Sequence, residues 1–133
     1  MISFNTKQPG FSLTELMVYL AIVGVLAGGL FGIFKFIGRA KKTTTETVLR
    51  TVKSAIDQYR QDTGQYPNSL EDLVTNPGVK GWMVGGYLDK TPEDSWNNPI
   101  QYVLKSQKGN DPYDLYSYGP NGEGSPESEW TKA

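Results

Sequence analysis

The 133-residue sequence predicts an α+β fold in which a long N-terminal helix packs on a small antiparallel sheet. Three observations predict it. Leu16–Phe34 is a run of nineteen residues without a single charge. Farther on, Val48, Leu49, Val52, Ala55, Ile56 and Tyr59 recur at spacings of three and four, which gathers them on one helical face. Ile100–Leu104 and Tyr113–Tyr118 are two strand-like runs, separated by a polar turn around Lys108-Gly109-Asn110.

The uncharged run is read as a membrane span, because about 20 helical residues cross a hydrocarbon core of roughly 30 Å. A buried core helix is disfavoured: the rest of the chain is too short to wrap one this apolar. A cleaved signal peptide is the stronger competitor, with Lys7 as its basic region, Leu16–Leu26 as its apolar region and Val25-Leu26-Ala27 before the cut. Glu15 at the mouth of the run opposes it, as does the apolar character that continues to Ile37. Orientation is in conflict. Lys35, Arg39, Lys41 and Lys42 follow the span and only Lys7 precedes it, so the count of basic residues alone would leave the C-terminal part in the cytoplasm.

Charge divides the chain. Residues 1–60 hold eight Lys/Arg and three acids, residues 61–133 five and eleven. A basic collar behind an apolar run and an acidic far end imply separate tasks for the two halves. There is no Cys, so no disulfide and no thiolate chemistry, and no His, the commonest general base and transition-metal ligand. No spacing marks a catalytic site, and the chain is read as a non-enzyme.

Gly24, Gly28 and Gly32 recur every four residues and line one helical face, where small residues let a second helix approach closely. Glu15 is the most informative residue. A carboxylate at the edge of a span is costly to desolvate unless it is matched by a cation, so it either stays wet at headgroup level or waits for a charge on a neighbouring chain.

The run Gly10-Phe11-Ser12-Leu13-Thr14-Glu15-Leu16, continued by Met17-Val18 and Gly24-Val25-Leu26-Ala27, resembles the processing motif of type IV pilins and type II secretion pseudopilins. The resemblance implies a leader of residues 1–10, cut by a prepilin peptidase between Gly10 and Phe11. It also implies N-methylation of Phe11 and pairing of its amine with Glu15 of an adjoining subunit. It implies residues 11–37 as a transmembrane and assembly helix, and 38–133 as a periplasmic domain of pilin-like fold. On topology the resemblance overrides the count of basic residues. One departure is Gly32, where many members of the family carry a helix-kinking Pro.

No breaker lies between Arg39 and Asp62, so the span and the amphipathic segment are expected to form one helix, ended by Gly64. Glu46–Arg50 and Lys53–Asp57 are expected as i,i+4 ion pairs on its wet side. Ser69–Val74 reads as a short helix with Ser69 as N-cap and Asp72 at its third position. The Asp94–Pro99 turn is expected to be structural, with Asp and Asn capping local backbone and Trp96 filling the core. Tyr102, Tyr113 and Tyr116 are expected to pack on the strands.

Tyr66-Pro67, Gly85-Gly86-Tyr87-Leu88, Pro92-x-Asp94-x-Trp96-x-Asn98-Pro99-x-x-Tyr102 and Tyr113-Asp114-Leu115-Tyr116-Ser117 resemble the major pseudopilin family of type II secretion. That resemblance implies a calcium loop after the last strand. Asn121 stands where the family's first Asp is expected, the following stretch is shorter, and the paired aspartates are absent. Glu127 and Glu129 are the substitutes, with Glu123 or the Tyr118 carbonyl assisting; the alternative is a solvated acidic tail.

The function implied is that of a major structural subunit of an inner-membrane-anchored periplasmic fibre that drives folded proteins across the outer membrane. Its implied partners are other copies of itself, minor pseudopilins, the inner-membrane assembly platform, the peptidase and the membrane, with no nucleic acid. A type IV or competence pilin is the alternative, disfavoured because such subunits usually carry a disulfide-bounded loop. A membrane-anchored periplasmic enzyme is the rival from another class.

Overall fold

The computed structural model describes residues 10–107 and 110–133. The expected single helix is present as α1, Leu13–Thr63. Two compact units divide the chain, residues 1–37 and 38–133. In the first, every described side chain from Phe11 to Ile37 is exposed. Among the described residues none covers the apolar run.

In the second unit the amphipathic stripe does what its spacing requires. Leu49, Val52, Ala55, Ile56 and Tyr59 of α1 are buried, and Val48 packs against them half-buried. The Leu, Val and Ile side chains among them each contribute about 1.5–3 kcal/mol on full burial. Against the stripe lie Tyr66, Leu70, Leu73, Ile100 and Leu115. Ile100 precedes strand β1, Gln101–Leu104, and Leu115 belongs to strand β2, Tyr113–Ser117. The two pair antiparallel with Gln101 opposite Tyr116 and Leu104 opposite Tyr113. Each strand is one residue shorter than the run that predicted it, and the turn residues Lys108 and Gly109 lie outside the described residues. A third strand, β3 (Thr131–Lys132), pairs antiparallel with β2 and sets the order β1-β2-β3. The expected helix at residues 69–74 is a single 3-10 turn, Leu70–Leu73, in which the Asp72 carboxylate accepts the Asn68 N–H at 2.8 Å.

Gly64 ends α1 in the left-handed region at φ +78°, as a helix terminus favours. Gly81 is also left-handed, at φ +89°, and is needed for a second reason: a Cβ there would lie 2.3 Å from the Asp62 carbonyl oxygen. Close contact at that point lets Trp82 and Tyr87 fold onto the end of the helix. The Trp82 indole donates to the Asp72 carbonyl at 2.8 Å, and the Tyr87 hydroxyl donates to Asp62 at 3.0 Å. The expected core tryptophan is thereby corrected. Trp96 is half-buried and outside the core cluster, whereas Trp82 packs against it. The expected helical ion pairs are corrected too. Among the described residues, Lys105 pairs with Asp111 and Asp114, and Lys132 with Glu127, while Glu46, Arg50, Lys53 and Asp57 form none. Exposed helical pairs gain too little to hold two long side chains in place.

The 92–99 turn is built around a buried carboxylate. Asp94 Oδ1 accepts the Trp96 and Asn98 N–H groups, each at 2.9 Å, and Oδ2 accepts the Ser117 hydroxyl at 2.6 Å. Asn97 takes φ +64°, a conformation its short polar side chain tolerates. Ser95 and the buried Thr45 exchange hydrogen bonds at 3.1 and 3.2 Å, so the turn is fastened to β2 on one side and α1 on the other. Asp94→Ala leaves three buried donors without an acceptor, and the expected loss is about 3 kcal/mol. Thermal unfolding checks it: a fall in Tm of more than about 10 °C is expected for a unit of this size.

Tyr66, Tyr102 and Tyr113 form an aromatic layer, with ring centroids 5.3 Å apart for Tyr102–Tyr113 and 5.6 Å for Tyr66–Tyr113. The Tyr102 hydroxyl donates to the Pro67 carbonyl at 2.8 Å. Burial, with Tyr113 beside it, pushes the Tyr102 phenol well above the ordinary tyrosine range. Burial and the Asp57 carboxylate push Tyr113 up to about 12. The folded state keeps these protons where the unfolded chain, titrating near 10, releases them. Stability is therefore complete below about pH 10 and falls as pH rises through the folded values. Melting curves between pH 8 and 12 should show a constant Tm to about pH 9.5 and a steep decline beyond, coincident with phenolate absorbance.

Candidate functional site

The candidate site begins at Gly10, where the described chain starts, and occupies the first turn of α1. Phe11 is 90% exposed, leaving the Gly10–Phe11 peptide accessible. The helix starts because Ser12 and Glu15 cap each other. The Glu15 N–H donates to the Ser12 hydroxyl at 3.2 Å, and the Ser12 N–H donates to Glu15 Oε2 at 2.9 Å. This reciprocal pair satisfies two of the amide donors that a helix N-terminus leaves open. Ser-x-x-Glu ahead of an apolar run is its sequence signature, so the local role of Glu15 was available to sequence reasoning and was missed. Among the described residues no hydrogen-bond donor engages the other oxygen, Oε1, and Glu15 lines an open, mostly apolar surface with Phe11, Thr14, Val18, Tyr19 and Ile22.

Gly24, Gly28 and Gly32 follow on α1, all exposed. A Cβ on any of them would meet no atom within 4 Å, so nothing inside the chain requires glycine there. Helix propensity argues against three glycines in the interior of a helix, at about 1 kcal/mol each relative to Ala. α1 remains helical through all of them, Gly32 included.

The five candidate calcium ligands are placed differently. A 3-10 turn, Glu127–Glu129, leads into β3. Glu129 Oε2 accepts the Asn121 side-chain amide at 2.6 Å, Glu127 pairs with Lys132, and the Tyr118 carbonyl accepts the Ser125 hydroxyl at 2.8 Å. Glu123 is exposed. Among the described residues no three acidic or sulfur and imidazole groups converge as a metal would require. Calcium takes six to eight oxygens, and here Glu127, Glu129 and the Tyr118 carbonyl each already have a partner while Glu123 stands exposed, so the residues present do not fit the ion.

Comparison with known proteins agrees with the sequence pattern over nearly the whole chain. Residues 32–131 match the family described as type II secretion system (T2SS), protein G, and residues 5–31 match the prokaryotic N-terminal methylation motif. A type II secretion system core protein G of Pseudomonas aeruginosa is 38% identical, over 88% of this chain and 87% of its own. Counterparts in Vibrio cholerae and Escherichia coli K12 are 34% and 33% identical, over 88% and 94% of this chain and 84% and 90% of theirs. The fold is shared with the crystal structure of the major pseudopilin from the type 2 secretion system of enterohaemorrhagic Escherichia coli. That likeness has a TM-score of 0.62 at 24% identity, over 74% of this chain and 90% of that one. The methylation motif and the apolar helix fit a membrane-anchored component of the system. On these matches the chain belongs to the type II secretion system protein G family.

Proposed function

We propose that this chain is the major structural subunit of a type II secretion pseudopilus, made as a precursor and polymerised through its N-terminal helix. Extension of the fibre would drive folded proteins across the outer membrane. The observation that carries the reading is the apolar segment 11–37, exposed at every described side chain and holding one carboxylate, Glu15, four residues beyond Phe11. Residues 1–10 are then the leader, 11–37 the membrane and assembly helix, and 38–133 the periplasmic domain. A prepilin peptidase cuts after Gly10, and Phe11 becomes the methylated terminus.

Before assembly the lipid core of the inner membrane covers the apolar run. In the fibre, other copies of the same helix replace lipid. Gly24, Gly28 and Gly32 suit that exchange because their missing side chains let a second backbone come close, where dispersion contacts are dense. Glu15 supplies register. In an apolar bundle an unmatched carboxylate costs several kcal/mol, so only a subunit whose terminal amine meets it is admitted at low cost. Minor pseudopilins and an inner-membrane platform are the further partners of such a fibre.

Intact mass of the chain purified from cells that contain the secretion system should correspond to residues 11–133 plus one methyl group. A functional product still bearing residue 1 would overturn the reading. Glu15 has two roles, and two substitutions separate them. Glu15→Gln keeps a capping side chain and removes the charge, whereas Glu15→Ala removes both. Pseudopilus yield, scored by shearing or microscopy, should fall at least about tenfold in both, with membrane insertion unchanged. Normal fibres from Glu15→Gln would show that the charge has no part in assembly.

A further inference from the structure

The segment that follows β2 is organised around an indole. Trp130 lies flat on Tyr116, ring centroids 4.6 Å apart and planes 5° from parallel, and meets the Tyr118 ring edge-on at 5.2 Å. Its Nε1–H donates to the Ser125 carbonyl at 3.0 Å, while the Ser125 hydroxyl donates to the Tyr118 carbonyl. The loop is thus tied at both ends to one aromatic stack. Lys132 completes it: its ammonium pairs with Glu127 and lies 5.8 Å from the Trp130 ring centroid. Beneath the stack, Thr131 is buried opposite Ser117 in the β2–β3 ladder. Gly119 sits where a Cβ would lie 2.8 Å from the Glu129 carbonyl oxygen, at φ +82°.

We propose that this segment is a metal-free clasp, closed by Trp130 on Tyr116 and Tyr118 and by Lys132 on Glu127, and that the subunit folds independently of calcium. A divalent cation in such a loop does two things: it neutralises acidic side chains, and it converts a loop of marginal stability into a fixed one. Here both tasks are taken by the chain itself. Lys132 brings the positive charge to Glu127, and the Asn121 amide donates to Glu129. The aromatic stack supplies rigidity that does not depend on an ion, since offset and edge-on ring contacts add to the gain from burying the rings. Calcium approaching these carboxylates would have to compete with Lys132 for Glu127 and with the Asn121 amide for Glu129.

The test uses the full chain in detergent micelles, unfolded thermally in 2 mM calcium chloride and in excess EGTA. A specific site one hundredfold saturated would separate the two Tm values by about 10 °C or more. The expected difference is below about 1 °C, the scatter of such measurements when no linkage operates. Trp130→Ala should lower Tm in both solutions equally, and Trp130→Phe, which keeps a ring on Tyr116, should lower it less. A saturable rise in the wild-type Tm with calcium would overturn the proposal. So would a Trp130→Ala chain that melts like wild type, or one whose loss calcium restores. Should Trp130→Ala fail to fold, the wild-type comparison and Trp130→Phe still decide.

Discussion

The structure depends on one helix meeting two different demands along its length. Up to Phe34, α1 is apolar on every side; from Thr45 to Tyr59 it is apolar on one stripe only. The stripe is covered within the chain, by Tyr66, Leu70, Leu73, Ile100 and Leu115. The all-round apolar segment has no cover among the described residues. Burial supplies most of the free energy of a folded chain, so a segment that leaves this much apolar surface bare has to find it elsewhere. Lipid and other copies of the same helix are two solutions to one problem. On the assembly proposed above, the helix would exchange one for the other.

The second unit is small, without disulfides, and fastened by polar groups at defined points. Asp94 gathers a turn, Thr45 and Ser95 hold that turn to α1, and Tyr102 holds β1 to the chain beyond the helix. Each of these groups is satisfied; no buried side-chain polar atom among the described residues lacks a partner. Aromatic rings occupy the space that remains, three tyrosines on one side of the sheet hairpin and Trp130 with Tyr116 and Tyr118 beyond it. Small domains with few buried aliphatics gain much from rings of this size, since each buries a large area at a low entropic cost.

Much of this was legible beforehand. The helical stripe was legible because Val48 to Tyr59 repeats at three and four residues over several turns. Both strands of the hairpin were, because each is long enough to show its composition. The Asp94 turn was readable from Asp94 and Asn98 between Pro92 and Pro99. β3 was not: two residues have no period. Trp96 and Trp82 could not be ranked, because the close backbone approach at Gly81 decides which of them reaches the core. The pairing of Lys132 with Glu127 was not legible in the sequence, where the resemblance makes Glu127 a candidate calcium ligand. At the N-terminus, the functional weight given to Glu15 hid its ordinary capping role, although Ser12 three residues earlier announces it.

That capping geometry bears on how a single side chain can serve two helices. One of its two oxygens accepts the amide of Ser12, and among the described residues no donor engages the other. On the assembly proposed above, a visiting ammonium could dock there without uncapping its host, and the first turn would stay wound. Helix initiation and intermolecular recognition would then share one carboxylate without either being sacrificed.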